Sequence, residues 1–256
     1  MNPASFDNCI TLTDLTVGND SHAAIHHLSG SFASGSLTAI VGPNGSGKST
    51  LIKTIAGMLK PMSGTCRIAP DLKLAYLPQQ SELDRSFPAK VMSLVALGLW
   101  QKRGLFGRYL AEDRQAIAAA LRIVGLEGFD ARSIDSLSGG QLQRALFARV
   151  VVQDADLILL DEPFNAIDEK TIRDLIALIR RWHDEGRTVI VVAHDLDLMR
   201  ATFPQALLLA RRAVAWGPSA EVVTSENMRR ARAFQEAWDE NAPWCVQPSA
   251  TVREVA

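Results

Sequence analysis

Leu37-Thr38-Ala39-Ile40-Val41-Gly42-Pro43-Asn44-Gly45-Ser46-Gly47-Lys48-Ser49-Thr50-Leu51-Ile52-Lys53-Thr54-Ile55-Ala56 is the stretch that decides the architecture of this chain. Its middle, Gly42 to Thr50, satisfies G-x-x-x-x-G-K-[ST], the spacing of a loop whose backbone N–H groups surround a nucleotide's phosphates. The apolar residues before it read as a short buried strand, and those after it as the start of a helix. Strand, loop and helix in that order make an anion site, because a helix N-terminus adds orphan N–H groups and the positive end of its dipole. Lys48 is expected to reach the β- and γ-phosphates and Ser49 to ligate Mg²⁺ through its hydroxyl.

The rest of the composition is compatible with such a site and narrows the alternatives. With 47% hydrophobic and 21% charged residues in 256, the chain is an ordinary globular protein of one large or two small domains. A formal net charge of −1 and scattered basic residues leave no nucleic-acid footprint, and Arg211-Arg212 and Arg229-Arg230 read as solvated faces. Cys9, Cys66 and Cys245 lie far apart without metal-type spacing and are expected as free thiols in a reducing cytosol. Residues 1–7 lack the basic and apolar regions of a secretory signal. The longest apolar run, residues 91–100, holds Ser93 and Gly98 and is about half the length needed to cross a bilayer. Work at a membrane would therefore be done from its cytoplasmic side.

Upstream of the loop, Ile10, Leu12, Leu15 and Val17 stand among polar neighbours as in a half-buried strand, with residues 24–28 a weaker candidate for its partner. Together they suggest a small antiparallel sheet. Residues 65–68 and 72–77 are further strand candidates, separated by the turn-like Ala69-Pro70-Asp71. From Pro88 to about Ser136 helical spacing takes over, which reads as a helical insertion in an α/β core. The core resumes with the continuous apolar runs 157–160 and 188–193, which suit parallel strands buried on both faces, with helices expected at 169–182 and 196–201.

Asp161 and Glu162 close the first of those runs, at the carboxyl edge where open α/β sheets bind their ligands. Two acids there suit two roles, Asp161 holding Mg²⁺ and Glu162 polarising the attacking water as a general base. Leu137-Ser138-Gly139-Gly140-Gln141 is more discriminating still. Ser138 and Gln141 fit a capping box at the head of a helix, and Gly139-Gly140 leave its first N–H groups open to a phosphate. One γ-phosphate offers too little room for Lys48 and for these donors from the same chain. A second copy could bring this helix end to it from the far side.

Lys48 in its loop, Gln79, residues 137–141, Asp161-Glu162 and His194 follow one another in the order and approximate spacing of an ATP-binding cassette (ABC) ATPase, which the chain resembles from about Ile10 to Gly217. The resemblance implies a P-loop NTPase core with a parallel sheet, a small N-terminal antiparallel β-subdomain and an inserted α-helical subdomain. It places the ATPase domain at 1–241, with its core at 1–87 and 137–217 and its insertion at about 88–136, and a C-terminal helix and tail at 218–256. It implies a head-to-tail homodimer with ATP between one subunit's phosphate loop and the other's Ser138, Gly139, Gly140 and Gln141. Gln79, preceded by Tyr76-Leu77-Pro78 and preferred to Gln80, resembles the glutamine that touches Mg²⁺ and the attacking water. His194 resembles the histidine that hydrogen-bonds the γ-phosphate. Two departures stand out: Asn165-Ala166-Ile167-Asp168 replaces the usual Ser-x-Leu-Asp of the dimer-contact loop, and Val17-Gly18-Asn19 lacks the usual aromatic for stacking on adenine.

A cassette without a membrane span is half of a machine, so the implied partners are integral-membrane permease subunits and, indirectly, an extracytoplasmic metal-binding protein. The permease groove is expected near residues 79–99. Residues 81–88 and 217–222 resemble cassettes of zinc and manganese importers, which points to metal import with zinc ahead of manganese. Importers of iron chelates or cobalamin, an ATPase for iron–sulphur cluster assembly, and a kinase are the competing readings; the last leaves residues 137–141 without a purpose. His22, His26 and His27 could be drawn as a metal cluster, though Asp20-Ser21 argue against the helix that this would need. Trp100, Leu105 and Phe106 fit either a partner-docking patch or the insertion's own core. Ala231, Phe234 and Trp238 form the apolar stripe of a tail helix.

Overall fold

In the computed structural model the described residues are 8–19, 22–82, 88–104 and 109–236. Several sequence expectations fall outside them: the N-terminal residues 1–7, Asp20-Ser21, residues 83–87 of the importer-like run, Leu105 and Phe106, and Trp238, Cys245 and the rest of the tail. The strands in chain order are β1 (Asn8–Asn19), β2 (His22–Ala33), β3 (Leu37–Val41), β4 (Ser63–Ile68), β5 (Leu74–Leu77), β6 (Leu157–Asp161), β7 (Thr188–Val192), β8 (Gln205–Leu209) and β9 (Ala213–Pro218). The helices are α1 (Lys48–Ile55), α2 (Val91–Ala96), α3 (Trp100–Arg103), α4 (Ala111–Ile123), α5 (Gly139–Gln153), α6 (Glu169–Asp184), α7 (Leu196–Thr202), α8 (Ser219–Val222) and α9 (Ser225–Glu236).

The strands form two sheets. A three-stranded antiparallel sheet runs β2-β1-β4. In β1 the buried residues Leu12 and Leu15 are an odd number of positions apart, yet both face the core. A break in the β1–β2 register between them, with Asp14 at φ 48°, inserts the bulge that keeps them on one side. The second sheet has the order β5-β6-β7-β3-β8-β9. β3, β6 and β7 are buried along their whole lengths, as their nearly continuous apolar runs require. The candidates 65–68 and 72–77 both form strands, β4 in the smaller sheet and β5 in the larger. One feature departs from the sequence reading: the larger sheet gains β8 and an antiparallel edge strand, β9.

Helices cover both faces of the larger sheet. On one side α1 packs with Ile40, Leu159, Ile190 and Val192 against the antiparallel sheet's Ile10, Leu12, Val17 and Phe32. On the other, α5 and α6 pack on Val41, Leu160 and Val191, with Phe147 and Trp182 stacked at 5.9 Å between ring centres. The insertion is helical, and its two ends lie side by side: Lys90 bridges Ser133, and Ile134 N–H donates to Ala89 O. Its helices α2 and α4 share with α5 a cluster that includes Val91, Val95, Ile117 and Leu121. Asp113, 1% exposed, accepts two bonds of 2.8 Å from Arg103, and that guanidinium holds its carboxyl below the usual range. Among the described residues no helix is long and apolar enough to cross a membrane.

Candidate active site

The phosphate loop is shaped by glycines that no other residue could replace in place. At Gly42 (φ +154°) a Cβ would lie 2.0 Å from Leu209 O on β8, so the loop leaves β3 pressed against its neighbour strand. At Gly47 (φ +95°) a Cβ would lie 2.6 Å from Ile25 Cγ1 on β2. Both sheets therefore clamp the loop. Pro43, Asn44, Gly45 and Ser46 arch over it, and Ser46 is fully buried. α1 begins at Lys48 itself, so Lys48, Ser49 and Thr50 form the first turn of a helix aimed at the arch. Lys48 Nζ donates to Gly42 O at 3.0 Å and Pro43 O at 2.9 Å. Burial pushes the Lys48 pKa below its ordinary value, while the Glu162 and Asp161 charges oppose that shift.

The acidic pair arrives from β6. Asp161 is 1% exposed, and Ser49 Oγ donates to its Oδ1 at 3.2 Å. Glu162 follows at φ 48°, with its N–H on Val192 O of β7 at 3.0 Å. Its side chain is held from three directions. Gln79 Nε2 donates to Oε2 at 2.8 Å from the loop after β5, and Asn165 Nδ2 to the same oxygen at 3.4 Å. His194 Nε2 meets Oε1 at 2.5 Å from the end of β7. An open pocket of about 400 Å³ results, lined by Ala24, residues 44–50, Glu162 and His194.

The donor set fits nucleoside triphosphate with a hard divalent cation. The arch presents backbone N–H groups and the Lys48 ammonium to phosphate oxygens. The Ser49 hydroxyl and Asp161 carboxylate, 3.2 Å apart, offer oxygen ligands of the kind Mg²⁺ takes, and the Gln79 amide bonded to Glu162 carries a further oxygen.

Ser138, Gly139, Gly140 and Gln141 do not line this pocket. They form the head of α5, where the expected capping box is complete: Gln141 N–H donates to Ser138 Oγ at 3.2 Å and Ser138 N–H to Gln141 Oε1 at 3.0 Å. The box takes up two donors, and helix geometry leaves the N–H groups of Gly139 and Gly140 without intrahelical partners. Asp168 caps α6 alongside, accepting from Thr171 N–H at 2.9 Å.

Three residues carry more than the sequence reading assigned them. Arg211, read as part of a solvated face, is half-buried; its N–H donates to Ser46 O at 2.9 Å and pins the arch to the β8–β9 turn. Only the fold brings residues so distant in sequence together. Asn165, noted as a departure, bonds the Glu162 carboxylate. Gln80, set aside in favour of Gln79, donates to Gly139 O at 3.0 Å; the adjacent glutamine pair was its only trace in the sequence. The histidines of β2 have other partners: His26 Nε2 lies 3.1 Å from Ala23 O and His27 Nδ1 2.7 Å from Asp14 Oδ1. Among the described residues no group of three His, Cys, Asp or Glu is placed to hold a metal ion.

The family model for ABC transporters matches residues 25–165. The manganese transport system ATP-binding protein MntB of Listeria monocytogenes is 39% identical over 223 residues, 85% of this chain and 93% of that protein. MntB of Bacillus subtilis is 37% identical over 227 residues, 86% of this chain and 91% of that protein. Among solved structures, a dimeric ATP-binding cassette in a post-hydrolysis state, bound to ADP and Pi, superposes with a TM-score of 0.72 at 27% identity, over 82% of this chain and 98% of that one.

Proposed function

The chain belongs to the ABC transporter family, and from that premise we propose that it is the ATP-hydrolysing subunit of a manganese importer. The observation that carries the catalytic part is the Glu162 carboxylate, gripped by Gln79, Asn165 and His194 at the rim of the pocket that Lys48 and its arch enclose. Gly42, Pro43, Asn44, Gly45, Ser46, Gly47, Lys48, Ser49 and Thr50 bind the triphosphate. Glu162 accepts a proton from the attacking water, Gln79 orients that water, and His194 holds the γ-phosphate side of the site. Mg²⁺, on Ser49 and Asp161 with Gln79 beside them, would neutralise charge on the phosphates. Ser138, Gly139, Gly140 and Gln141 close the partner subunit's site in a head-to-tail homodimer.

The subunit would sit peripherally on the cytoplasmic face of the membrane, beneath permease subunits fed by an extracytoplasmic metal-binding protein. Closure on ATP and opening after hydrolysis would provide the two-state motion that a permease can follow. The names of the relatives favour manganese, which reverses the order expected from sequence, where zinc stood first. Proteoliposomes holding the subunit with a permease that co-purifies with it test the whole reading. ATP-dependent uptake of Mn²⁺ in preference to Zn²⁺, lost in Glu162→Gln, is expected. Preference for Zn²⁺ would overturn the cargo alone, and association with a soluble scaffold in place of a permease would overturn transport.

A further inference from the structure

Gln79 and Gln80 are neighbours in the chain but serve different ends of the molecule. Gln79 Nε2 donates to the carboxylate of Glu162, a residue that lines the nucleotide pocket. Gln80 Nε2 donates 3.0 Å to the carbonyl oxygen of Gly139, in the first turn of α5 and outside that pocket. That carbonyl already belongs to the helix's own ladder, where the N–H four residues on is its ordinary partner. The Gln80 bond is therefore additional, and what it fixes is the direction of the helix tip. Further along the helix, Arg149 Nη2 donates to Tyr76 O at 2.9 Å, so the body of α5 is tied to the end of β5. The helix is held at its middle by Arg149 and steered at its head by Gln80.

We propose that Gln80 is a positioning residue for the open helix tip at Gly139-Gly140, so that it acts on the nucleotide bound by the partner subunit while Gln79 acts on the nucleotide of its own. The proposal rests on the shared-site reading given above. Any shift of the segment that carries Gln79 against Glu162 is passed through one peptide unit to Gln80 and on to Gly139. The pair thus links the state of one site to the donors offered to the other. A network of this kind counts as coupling only if its two ends respond separately.

Mixed dimers separate those ends. Two differently tagged full-length chains, one carrying Ser138→Arg and one Lys48→Ala, retain a single working site: the loop of the first and the helix tip of the second. Gln80→Ala is then placed in either chain and ATP hydrolysis is measured on the tandem-purified dimer. With the substitution in the tip donor, kcat should fall roughly three- to tenfold, the worth of one hydrogen bond. In the loop donor the same substitution should change kcat far less. Equal losses in both arrangements would mean that Gln80 merely supports folding, and a greater loss in the loop donor would place its action on its own nucleotide; either result overturns the proposal. An inactive parent mixture, before Gln80 is touched, overturns the shared-site reading and takes the proposal with it.

Discussion

The nucleotide pocket and the tip of α5 are both glycine-rich anion sites at helix N-termini, but they are built on different terms. The pocket is embedded: a Cβ on Gly42 or Gly47 would strike backbone or core atoms of two separate sheets. The tip is open: a Cβ on Gly139 would find only Ala166 O, at an ordinary 3.4 Å. Glycine is required in the first by the fold of this chain. In the second the fold asks for glycine only at Gly140, where a Cβ would lie 3.3 Å from Asp168 Oδ2 and from Thr171 Oγ1, so the reason for a bare Gly139 must lie in what approaches from outside. A chain that spends helix-weakening residues on a tip with nothing of its own to bind has the form of half a site.

Substitutions can break that contrast. The largest effect belongs to the chemistry of the embedded half: Glu162→Gln should lower ATP turnover by about 10²–10⁴-fold while nucleotide still binds, because it removes the base and leaves the arch intact. Phosphate release measured beside nucleotide affinity checks it; full turnover would remove Glu162 from the role. Gly42→Ala comes next and should act on folding. Strain at positive φ and a clash with Leu209 O together should cost about 3 kcal/mol of stability, read by denaturant unfolding. Gly139→Ala reverses the pattern. Stability should change by less than about 1 kcal/mol, the usual Gly–Ala difference in a helix, while turnover falls because a methyl group covers the donors. If Gly139→Ala unfolded the protein and left its turnover per folded molecule intact, the distinction between the two halves would fail.

The same contrast explains what could be read from sequence. The embedded half was legible because its parts are local. Gly42 to Thr50 are contiguous, and β3, β6 and β7 announce themselves as nearly continuous apolar runs that lead to Gly42, to Asp161 and to His194. The capping box at Ser138 and Gln141 was equally local. What stayed hidden were contacts between segments with no shared pattern: Arg211 on Ser46, Gln80 on Gly139, Asn165 on Glu162. β8 carried a signal in Ala206-Leu207-Leu208-Leu209, set off from the helix before it by Pro204, whereas its partner β9 is half-exposed and alternates poorly. The roles of Gln79 and His194 came from order and spacing. Their joint grip on one carboxylate is a property of how β5, β6 and β7 lie side by side.

The smallest expected effect concerns the boundary between the halves, where Asp168 caps α6 beneath Gly140. Its carboxylate accepts from Thr171 N–H and Thr171 Oγ, and those bonds hold its pKa below the ordinary value. Asp168→Ala should lower stability, as loss of an N-cap does, and Asp168→Asn much less, since the amide oxygen still accepts. A depressed carboxyl pKa also sets the sign of the pH dependence. The stabilisation is complete above the unfolded-chain carboxylate range and is lost as pH falls through the lower folded value. The stability gap between wild type and Asp168→Ala should therefore stay constant through neutrality and narrow only in acid. A gap that opened toward acid would show the carboxylate to be a burden on the fold, retained for the side of Gly140 that faces a second subunit.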